Sequence, residues 1–342
     1  MGTLAGMSIE VTPVGPDDGQ HAYEIQAQSH AFDVPDFPPL CPRSFFGSLT
    51  DPWPGAHKVH ALARLDGVPA GFLELRLPYL ENTGTADLSL DVLPSMRRRG
   101  VGSALLAHAM EASRADGRKH LIGESVWALP GGADRPVDGG VFARATGAAL
   151  ALTDIRRRLD ATSIDEAALD SLVSAAWPSA AGYSLVKWAG ATPEEFAADQ
   201  AYLEGRLMSD APTGDLAVEG MKMDTARLRE VETARERRGR RAYTTAARHD
   251  ASGRLVAITA IEFNDTPDWH AFQQITLVDP DHRGHRLGVL VKVENLRAVL
   301  AAEPALRAID TWNAAVNAHM VAINEAIGFR PVDEWHSWQI AL

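Results

Sequence analysis

Two short stretches of this sequence decide its fold: residues 92–102 read VLPSMRRRGVG, and residues 278–288 read VDPDHRGHRLG. The offset between them is 186 residues (278 − 92), and valine, proline, arginine and a final glycine coincide. Each stretch follows a strand-like run and opens an apolar pattern of helical spacing. Because the same order of strand, basic loop and helix occurs twice, the sequence predicts an internal repeat.

The elements around the two stretches correspond as well. Paired strand-like runs precede each stretch, at 59–65 and 68–77 in the first copy and at 241–248 and 254–263 in the second. A further strand follows each helix, and residues 150–159 are predicted to close the first copy. We therefore predict two mixed α/β halves, each of about 150 residues. The predicted division is an N-terminal domain at 1–160, a linker at 161–182 and a C-terminal domain at 183–342.

The composition excludes several classes of protein. There are 33 Lys and Arg against 45 Asp and Glu, a formal net charge of −12, which argues against nonspecific nucleic-acid binding. The single cysteine, Cys41, excludes a disulfide framework and a cysteine-rich metal site, and it fits a reducing cytoplasm. No run reaches the ~18 apolar residues of a membrane span, and no secretory signal is visible. We therefore expect a cytoplasmic protein with no metal, nucleic-acid or membrane partner, and a monomer by default.

The chemistry of the repeated loop points to a diphosphate. Glycines let backbone N–H groups approach phosphate oxygens, a helix N-terminus adds partial positive charge, and arginine adds charge-assisted hydrogen bonds. The loop is not a P-loop, because it lacks the Gly-Lys-Ser/Thr ending. It is not a dinucleotide fingerprint either, because Leu105 occupies the third glycine position. The alternative interpretation is a surface arginine cluster with no ligand. The presence of two copies in the same structural context weakens this alternative.

These motifs resemble those of the GNAT acetyltransferase superfamily. Arg-x-x-Gly-x-Gly at 97–102 is similar to the acyl-CoA loop of that family, and the second copy differs by having Arg286 at the middle glycine. Residues 317–329 (NAHMVAINEAIGF) resemble a later family element, with Asn324 in place of its tyrosine. The first copy has Pro136 and Ala143 at the corresponding Asn and Tyr positions. The chain thus looks like a tandem GNAT protein, of the broad type that includes mycothiol synthase.

The resemblance implies a fold and a cosubstrate. Each half is expected to be a mixed, mostly antiparallel sheet flanked by helices, with a β-bulge ending the strand before the loop. Acetyl-CoA is the implied cosubstrate, its pyrophosphate bound by loop amides and its pantetheine arm by the later asparagines. The residues so assigned are Val92, Arg97, Arg98, Arg99, Gly100, Val101, Gly102, Ser103, Val278, Arg283, Gly284, His285, Arg286, Leu287, Gly288, Asn313 and Asn317.

The implied reaction is direct attack of an amine on the acetyl thioester. Such a reaction needs donors to the carbonyl oxygen, a base for the amine and an acid for the thiolate. Bulge amides near Val92 and Val278 are the expected donors, and Glu262 on the neighbouring strand is the candidate base. Asn324 occupies the acid position but cannot donate a proton as tyrosine would. Gln274, on the strand before the loop, is expected to face the substrate.

Three functions are compatible with these motifs. The leading one is an acetyl-CoA-dependent N-acetyltransferase that acts on a small-molecule amine. The alternatives are a noncatalytic acyl-CoA-binding protein and an acyltransferase for protein amino groups. The second half is predicted to be catalytic because it keeps Asn313 and Asn317. The first half is then expected to bind CoA without turnover or to support the fold.

Overall fold

The computed structural model describes residues 7–51 and 53–342. Its strands are β1 (Ile9–Pro13), β2 (Ala56–Leu65), β3 (Val68–Pro78), β4 (Thr85–Val92), β5 (His120–Ala128), β6 (Ala149–Asp160), β7 (Tyr183–Ala189), β8 (Arg241–His249), β9 (Leu255–Phe263), β10 (His270–Val278), β11 (Ala308–Ala314) and β12 (Arg330–Ala341). Its α-helices are α1 (Gly19–Asp33), α2 (Pro42–Thr50), α3 (Val101–Ala115), α4 (Asp138–Ala145), α5 (Glu166–Ala176), α6 (Ala197–Asp210), α7 (Thr225–Arg237), α8 (Leu287–Ala302) and α9 (Ala318–Ile327). Apart from α5, the second half repeats the element order of the first.

The strands form one continuous sheet in the order β1-β2-β3-β4-β5-β12-β6-β11-β10-β9-β8-β7. The pairs β4–β5 and β10–β11 are parallel, and the other pairs are antiparallel. The predicted fold class, two tandem halves with mixed, mostly antiparallel strands flanked by helices, is confirmed.

The two halves exchange their last strands. β6 ends the first half but lies between β11 and β12, and β12 ends the second half but lies between β5 and β6. The strand predicted at 150–159 is therefore present, yet it pairs with strands of the second half. Asp154 pairs with Trp335 at the middle of β6 and β12. These two residues hold equivalent places in their strands, so a local twofold axis passes between them.

The first half packs helices on both faces of its strands. The β2–β3 hairpin turns at Asp66 and Gly67, whose φ angles of 50° and 82° suit the tight turn that the sequence predicts. Because side chains alternate along a strand, Leu73 faces α3 whereas Phe72 faces α1. Leu105 anchors the α3 side and Ile25 the α1 side.

The second half repeats this packing. Ile261 and the α8 residue Val293 share one buried cluster, whereas Ile258 packs with Leu203 of α6 in another. Helix α5, inside the segment predicted as a linker, packs against α8 and buries Leu169. The second half therefore begins with an additional helix, α5, that packs on α8 before the first strand of that half.

A buried network of charges joins the two halves at the centre of the sheet. Arg156 of β6 bonds to Asp310 of β11 at 3.0 Å and to Asp333 of β12, and Asp36 reaches it from the α1–α2 connection at 2.9 Å. Arg156, Asp310 and Asp333 have fully buried side chains. Burial alone would raise the pKa of Asp310, but Arg158, His270 and Arg156 hold it far below its usual range.

Candidate active site

The two glycine loops have matching backbone conformations although their glycines differ. In the first loop Arg98 (φ 64°) and Gly100 (φ 92°) are left-handed, and in the second Gly284 (φ 86°) and Arg286 (φ 54°) are left-handed. Each loop thus places one glycine and one arginine in this region, in opposite order. A residue with a Cβ is disfavoured there, so the turn imposes the conformation. Arg286 therefore replaces the expected middle glycine while remaining in the left-handed region, at φ 54° instead of 92°.

The helix starts that follow the loops leave backbone donors for an anion. Neither α3 nor α8 has a side-chain N-cap, so first-turn N–H groups lack the partner that caps supply elsewhere. At Gly102 and Gly288, an added Cβ would have its nearest described neighbour at 3.6 Å. Packing therefore does not demand glycine at either position. The uncapped first-turn N–H groups fit the predicted pyrophosphate site in both halves.

Arg97 anchors the first loop. Its guanidinium bonds to both Asp33 carboxylate oxygens at 2.7 Å, to Ser29 Oγ at 3.1 Å and to the Val92 carbonyl at 3.2 Å. These contacts tie the loop to α1, so Arg97 is a positioning residue. Four neighbouring residues that were assigned to the cofactor are exposed, namely Arg98, Arg99, Gly100 and Ser103.

The second loop is held by matching contacts, because Arg283 Nε donates to the Val278 carbonyl at 3.3 Å as Arg97 does to Val92. Arg283 bonds to Asp210 at 2.9 Å, and His285 Nδ1 lies 2.8 Å from the Ser179 carbonyl oxygen. Val101 and its counterpart Leu287 bury their side chains in the two cores. Only the backbone of these two residues is therefore available to a ligand.

An opening separates two parallel strands in each half. β4 and β5 pair only over 85–88 and 120–123, and β10 and β11 only over 270–272 and 308–310. Beyond these short ladders no pairing joins the strands. Each opening lies beside its glycine loop, which follows directly after β4 or β10.

A β-bulge distinguishes the second opening from the first. Gln273 pairs with Ile261 and Thr276 with Thr259, so Gln274 and Ile275 stand opposite a single residue of β9. β4 pairs with β3 without a shift from 87 to 92, so the bulge expected near Val92 is absent. Val278 itself pairs regularly with Ala257. The residues displaced from the ladder are therefore Gln274 and Ile275, three to four positions before Val278.

Gln273 stabilises the bulge, a role that the sequence analysis missed. Its side-chain amide donates to the Ala260 carbonyl at 2.8 Å and to Thr259 Oγ1 at 3.0 Å. The carbonyl opposite the bulge is thereby satisfied. Gln274 is exposed beside it, where its predicted contact with substrate stays a prediction.

The three asparagines singled out in the second half, Asn313, Asn317 and Asn324, mainly bind one another and the backbone. Asn317 accepts from the Met320 N–H and caps α9, and Asn324 Nδ2 donates to Asn313 Oδ1 at 2.6 Å. Asn324 is fully buried, and its Oδ1 has no partner among the described residues. Asn317 Oδ1 is thus committed to the helix, and the predicted contact of Asn313 and Asn317 with the pantetheine arm stays a prediction.

Glu262 does not have the surroundings of a free base. One carboxylate oxygen accepts from Arg235 at 2.8 Å and the other from Arg240 at 2.9 Å. Both carboxylate oxygens are therefore occupied by arginine donors, and neither is positioned to accept from an incoming amine. The structure therefore argues against the catalytic role predicted for Glu262.

Glu204 on α6 is an alternative candidate base. Its Oε1 accepts from Gln200 Nε2 at 2.8 Å, and the adjacent Leu203 packs in the cluster that includes the bulge residue Ile275. Desolvation raises the pKa of Glu204, and the charges of Glu232 and Glu262 add to that rise. A carboxyl group with a raised pKa is suited to accepting a proton near neutral pH.

The first opening has different side chains around it. Glu124 on β5 bonds to Ser337 Oγ at 3.3 Å, and desolvation together with the Asp154 charge raises the pKa of Glu124. On the other face, the Arg144 guanidinium lies 4.7 Å from the Trp127 ring centre and 5.5 Å from that of Trp338. In the second half, Asn313 stands at the position of Trp127, Glu325 at that of Arg144, and Arg157 at that of Trp338.

Comparison with known proteins identifies the family. A tandem GNAT protein from the clavulanic acid biosynthesis pathway shares 35% identity with this chain, covers 98% of both chains and superposes with a TM-score of 0.82. The chain belongs to the GNAT acetyltransferase family. The family model described as "Acetyltransferase (GNAT) family" matches residues 22–125, within the first half. The protein is thus a tandem GNAT acetyltransferase, an enzyme of acyl transfer.

More distant structures share the fold alone. A GCN5-related N-acetyltransferase from Sphaerobacter thermophilus is 14% identical with a TM-score of 0.63, covering 97% of this chain and 95% of that one. A fungal glucosamine N-acetyltransferase region is also 14% identical, with a TM-score of 0.70 over 98% of this chain and 38% of that one. No curated protein matches this chain significantly.

The described residues contain no group of three or more His, Cys, Asp or Glu side chains arranged to hold a metal ion. No helix in the described part of the chain has the length and apolar character needed to cross a bilayer.

Proposed function

We propose that this GNAT protein transfers the acetyl group of acetyl-CoA to the amine of a small molecule, and that the second half carries out the chemistry. The β-bulge in β10 is the observation that carries this proposal. It frees backbone groups of Gln274 and Ile275 beside the opening, where N–H donors can stabilise charge on the thioester oxygen. The regular ladder of β4 offers no such donors in the first half.

The residues of the second half divide the work as follows. The amides at 286–288 bind the pyrophosphate, and the strands around the opening position the pantetheine arm. The bulge amides polarise the carbonyl, and Glu204 accepts the proton of the attacking amine. Orientation of this kind matters because effective molarity falls steeply with errors of ~1 Å.

The first half is proposed to bind acyl-CoA without turnover. Its loop has the same left-handed positions and a helix start that likewise lacks a side-chain cap, which supports binding. A small-molecule acceptor is supported by the clavulanic acid relative, which belongs to a small-molecule pathway. We also propose that the protein acts as a monomer in the cytoplasm, because a single chain supplies both partners of its strand exchange.

The test is release of CoA thiol from acetyl-CoA in the presence of a panel of small amines, with Gly288→Ala and Gly102→Ala as matched variants. Both methyl groups fit the protein but crowd the amides. We expect Gly288→Ala to lower kcat/KM about 100-fold. Gly102→Ala is expected to keep turnover and to weaken only the binding of CoA to the first half. The reverse pattern would place the chemistry in the first half, and no transfer by the unmodified protein to any amine would refute the small-amine proposal.

A further inference from the structure

Lys292 is a buried amine beside the second opening. It lies on α8 between Val291 and Val293, and the residue is 2% exposed. Its Nζ is 3.5 Å from Thr276 Oγ1, on the strand just after the bulge, and 5.5 Å from the ring centre of Phe329, just after α9. The amine therefore sits between β10 and the end of α9, on the helix side of the opening.

No carboxylate compensates this amine. Among the described residues, the lysines in salt bridges are Lys58 and Lys187, and Lys292 has no acidic group within 4.0 Å. The acidic groups of the neighbouring helices are engaged elsewhere: Glu294 with Lys187, Asp170 with Arg297, and Glu325 with Arg157. Burial without a partner lowers the pKa of Lys292 to about 7, so the amine can exchange a proton near neutral pH.

The same location is apolar in the first half. Lys292 corresponds to Leu106, and the facing pair Thr276–Thr259 corresponds to Leu90–Leu73. Asn324, with its unpartnered buried Oδ1, corresponds to Ala143. A leucine at 292 would satisfy packing alone, because Leu106 does so in the matching helix. The two threonines bond each other at 2.8 Å and Asn324 bonds Asn313, whereas Thr276 Oγ1 is the one acceptor of Lys292 Nζ among the described residues, so further N–H donors of Lys292 are left for a ligand.

We propose that Lys292 donates the proton that converts the departing CoA thiolate to a thiol in the second half. The proposal rests on the proposed function above. The amine nitrogen of the acceptor forms a bond to the acetyl carbon, and the C–S bond breaks with its electron pair left on sulfur. The Lys292 ammonium gives one N–H proton to that sulfur and becomes a neutral amine. Glu204 accepts the proton of the acceptor nitrogen and passes it to solvent, and a proton from solvent restores the Lys292 ammonium, so no net proton is gained or lost by the protein.

The test compares Lys292→Met and Lys292→Arg with Leu106→Met, its matched control in the first half. Loss of a proton donor typically costs 10²-fold or more, so we expect kcat of Lys292→Met to fall about 100-fold while KM for acetyl-CoA changes less than about threefold. Arginine keeps the charge but holds its proton too tightly, so Lys292→Arg stays slow. Leu106→Met is expected to retain full activity.

The pH profile separates proton donation from a packing role. In the unmodified enzyme kcat should fall above pH about 7, as the Lys292 ammonium loses its proton, and this limb should be absent in Lys292→Met. A folded Lys292→Met enzyme with kcat within threefold of normal and an unchanged profile would overturn the proposal.

A binding measurement makes the proposal testable even without turnover. The thiol pKa of bound CoA, followed by the ultraviolet absorbance of the thiolate, should be lower in the unmodified protein than in Lys292→Met by about one unit. An unchanged thiol pKa would show that Lys292 does not face the sulfur. Absence of transfer together with the expected thiol shift would refute the proposed acceptor but not the role of Lys292.

Discussion

The two halves share one backbone plan and differ in what surrounds their openings. Glu124 of β5 and Asp310 of β11 occupy matching positions in the repeat, yet Glu124 faces an open recess and Asp310 is fully buried among arginines. The α3 side of the first half is lined by leucine, whereas Lys292 and two threonines line the second. The loop and sheet order are therefore properties of the fold, and the chemistry depends on side chains that vary between copies.

The largest expected effect concerns Asp310, the buried member of this matched pair. Asp310→Asn should destabilise the protein by about 2–3 kcal/mol, because it removes the buried charge that both Arg156 and Arg158 contact and leaves them only Asp36 and Asp333 as acidic partners. The matched change Glu124→Gln should alter stability by less than about 0.5 kcal/mol, because it removes a carboxylate that is already disfavoured. Urea unfolding of both variants measures the difference.

The pH dependence of the unfolding free energy is a second test of the role of Asp310. The folded-state pKa of Asp310 is lowered, so its contribution is present above the unfolded pKa of about 3.9 and is lost as pH falls below it. Asp310→Asn should therefore flatten the loss of stability below pH 4. Equal losses of stability for Asp310→Asn and Glu124→Gln would contradict the contrast between a buried, ion-paired Asp310 and an exposed Glu124.

The sequence predicted the repeated framework because that framework depends on local signals. The Asp66-Gly67 turn and the strand-loop-helix order can be recognised from neighbouring residues. The strand exchange could not be predicted, because β6 and β12 have similar local patterns whichever partner they join. The bulge was assigned to both halves by resemblance, but it depends on Gln273 satisfying a carbonyl of another strand.

The candidate site was harder to predict for the same reason. Glu262 was singled out by its strand, but two arginines from α7 and the following turn hold its carboxylate. Glu204 gave no motif at all. Lys292 did leave a signal, a single charge within the apolar run LGVLVKV at 287–293, which a search for buried faces in α8 would have found.

A smaller effect on stability is expected from the N-cap of α9, which its counterpart α4 lacks. Asn317 caps α9, whereas α4 has no side-chain cap. Asn317→Ala should lower stability by about 1 kcal/mol, and Asn317→Asp should retain the cap and most of that stability. Acetyl transfer by the aspartate variant then shows whether the Asn317 amide also contacts pantetheine. Normal turnover in Asn317→Asp would confine this residue to capping.

The smallest expected effect concerns the arginines in left-handed positions. Arg286 and Arg98 each occupy a position where the partner loop has glycine, at φ 54° and 64°. Replacing a residue with a Cβ by glycine there relieves steric strain but increases the entropy of the unfolded chain. We expect Arg286→Gly and Arg98→Gly each to raise stability by about 0.5 kcal/mol. Arg99, outside the left-handed region, is the control, and Arg99→Gly should be neutral or destabilising. If CoA affinity falls tenfold in Arg286→Gly while stability rises, the side chain at this position binds phosphate, and the protein tolerates a strained conformation to place it there. A loss of stability in Arg286→Gly would instead show that contacts of the arginine side chain determine the loop conformation.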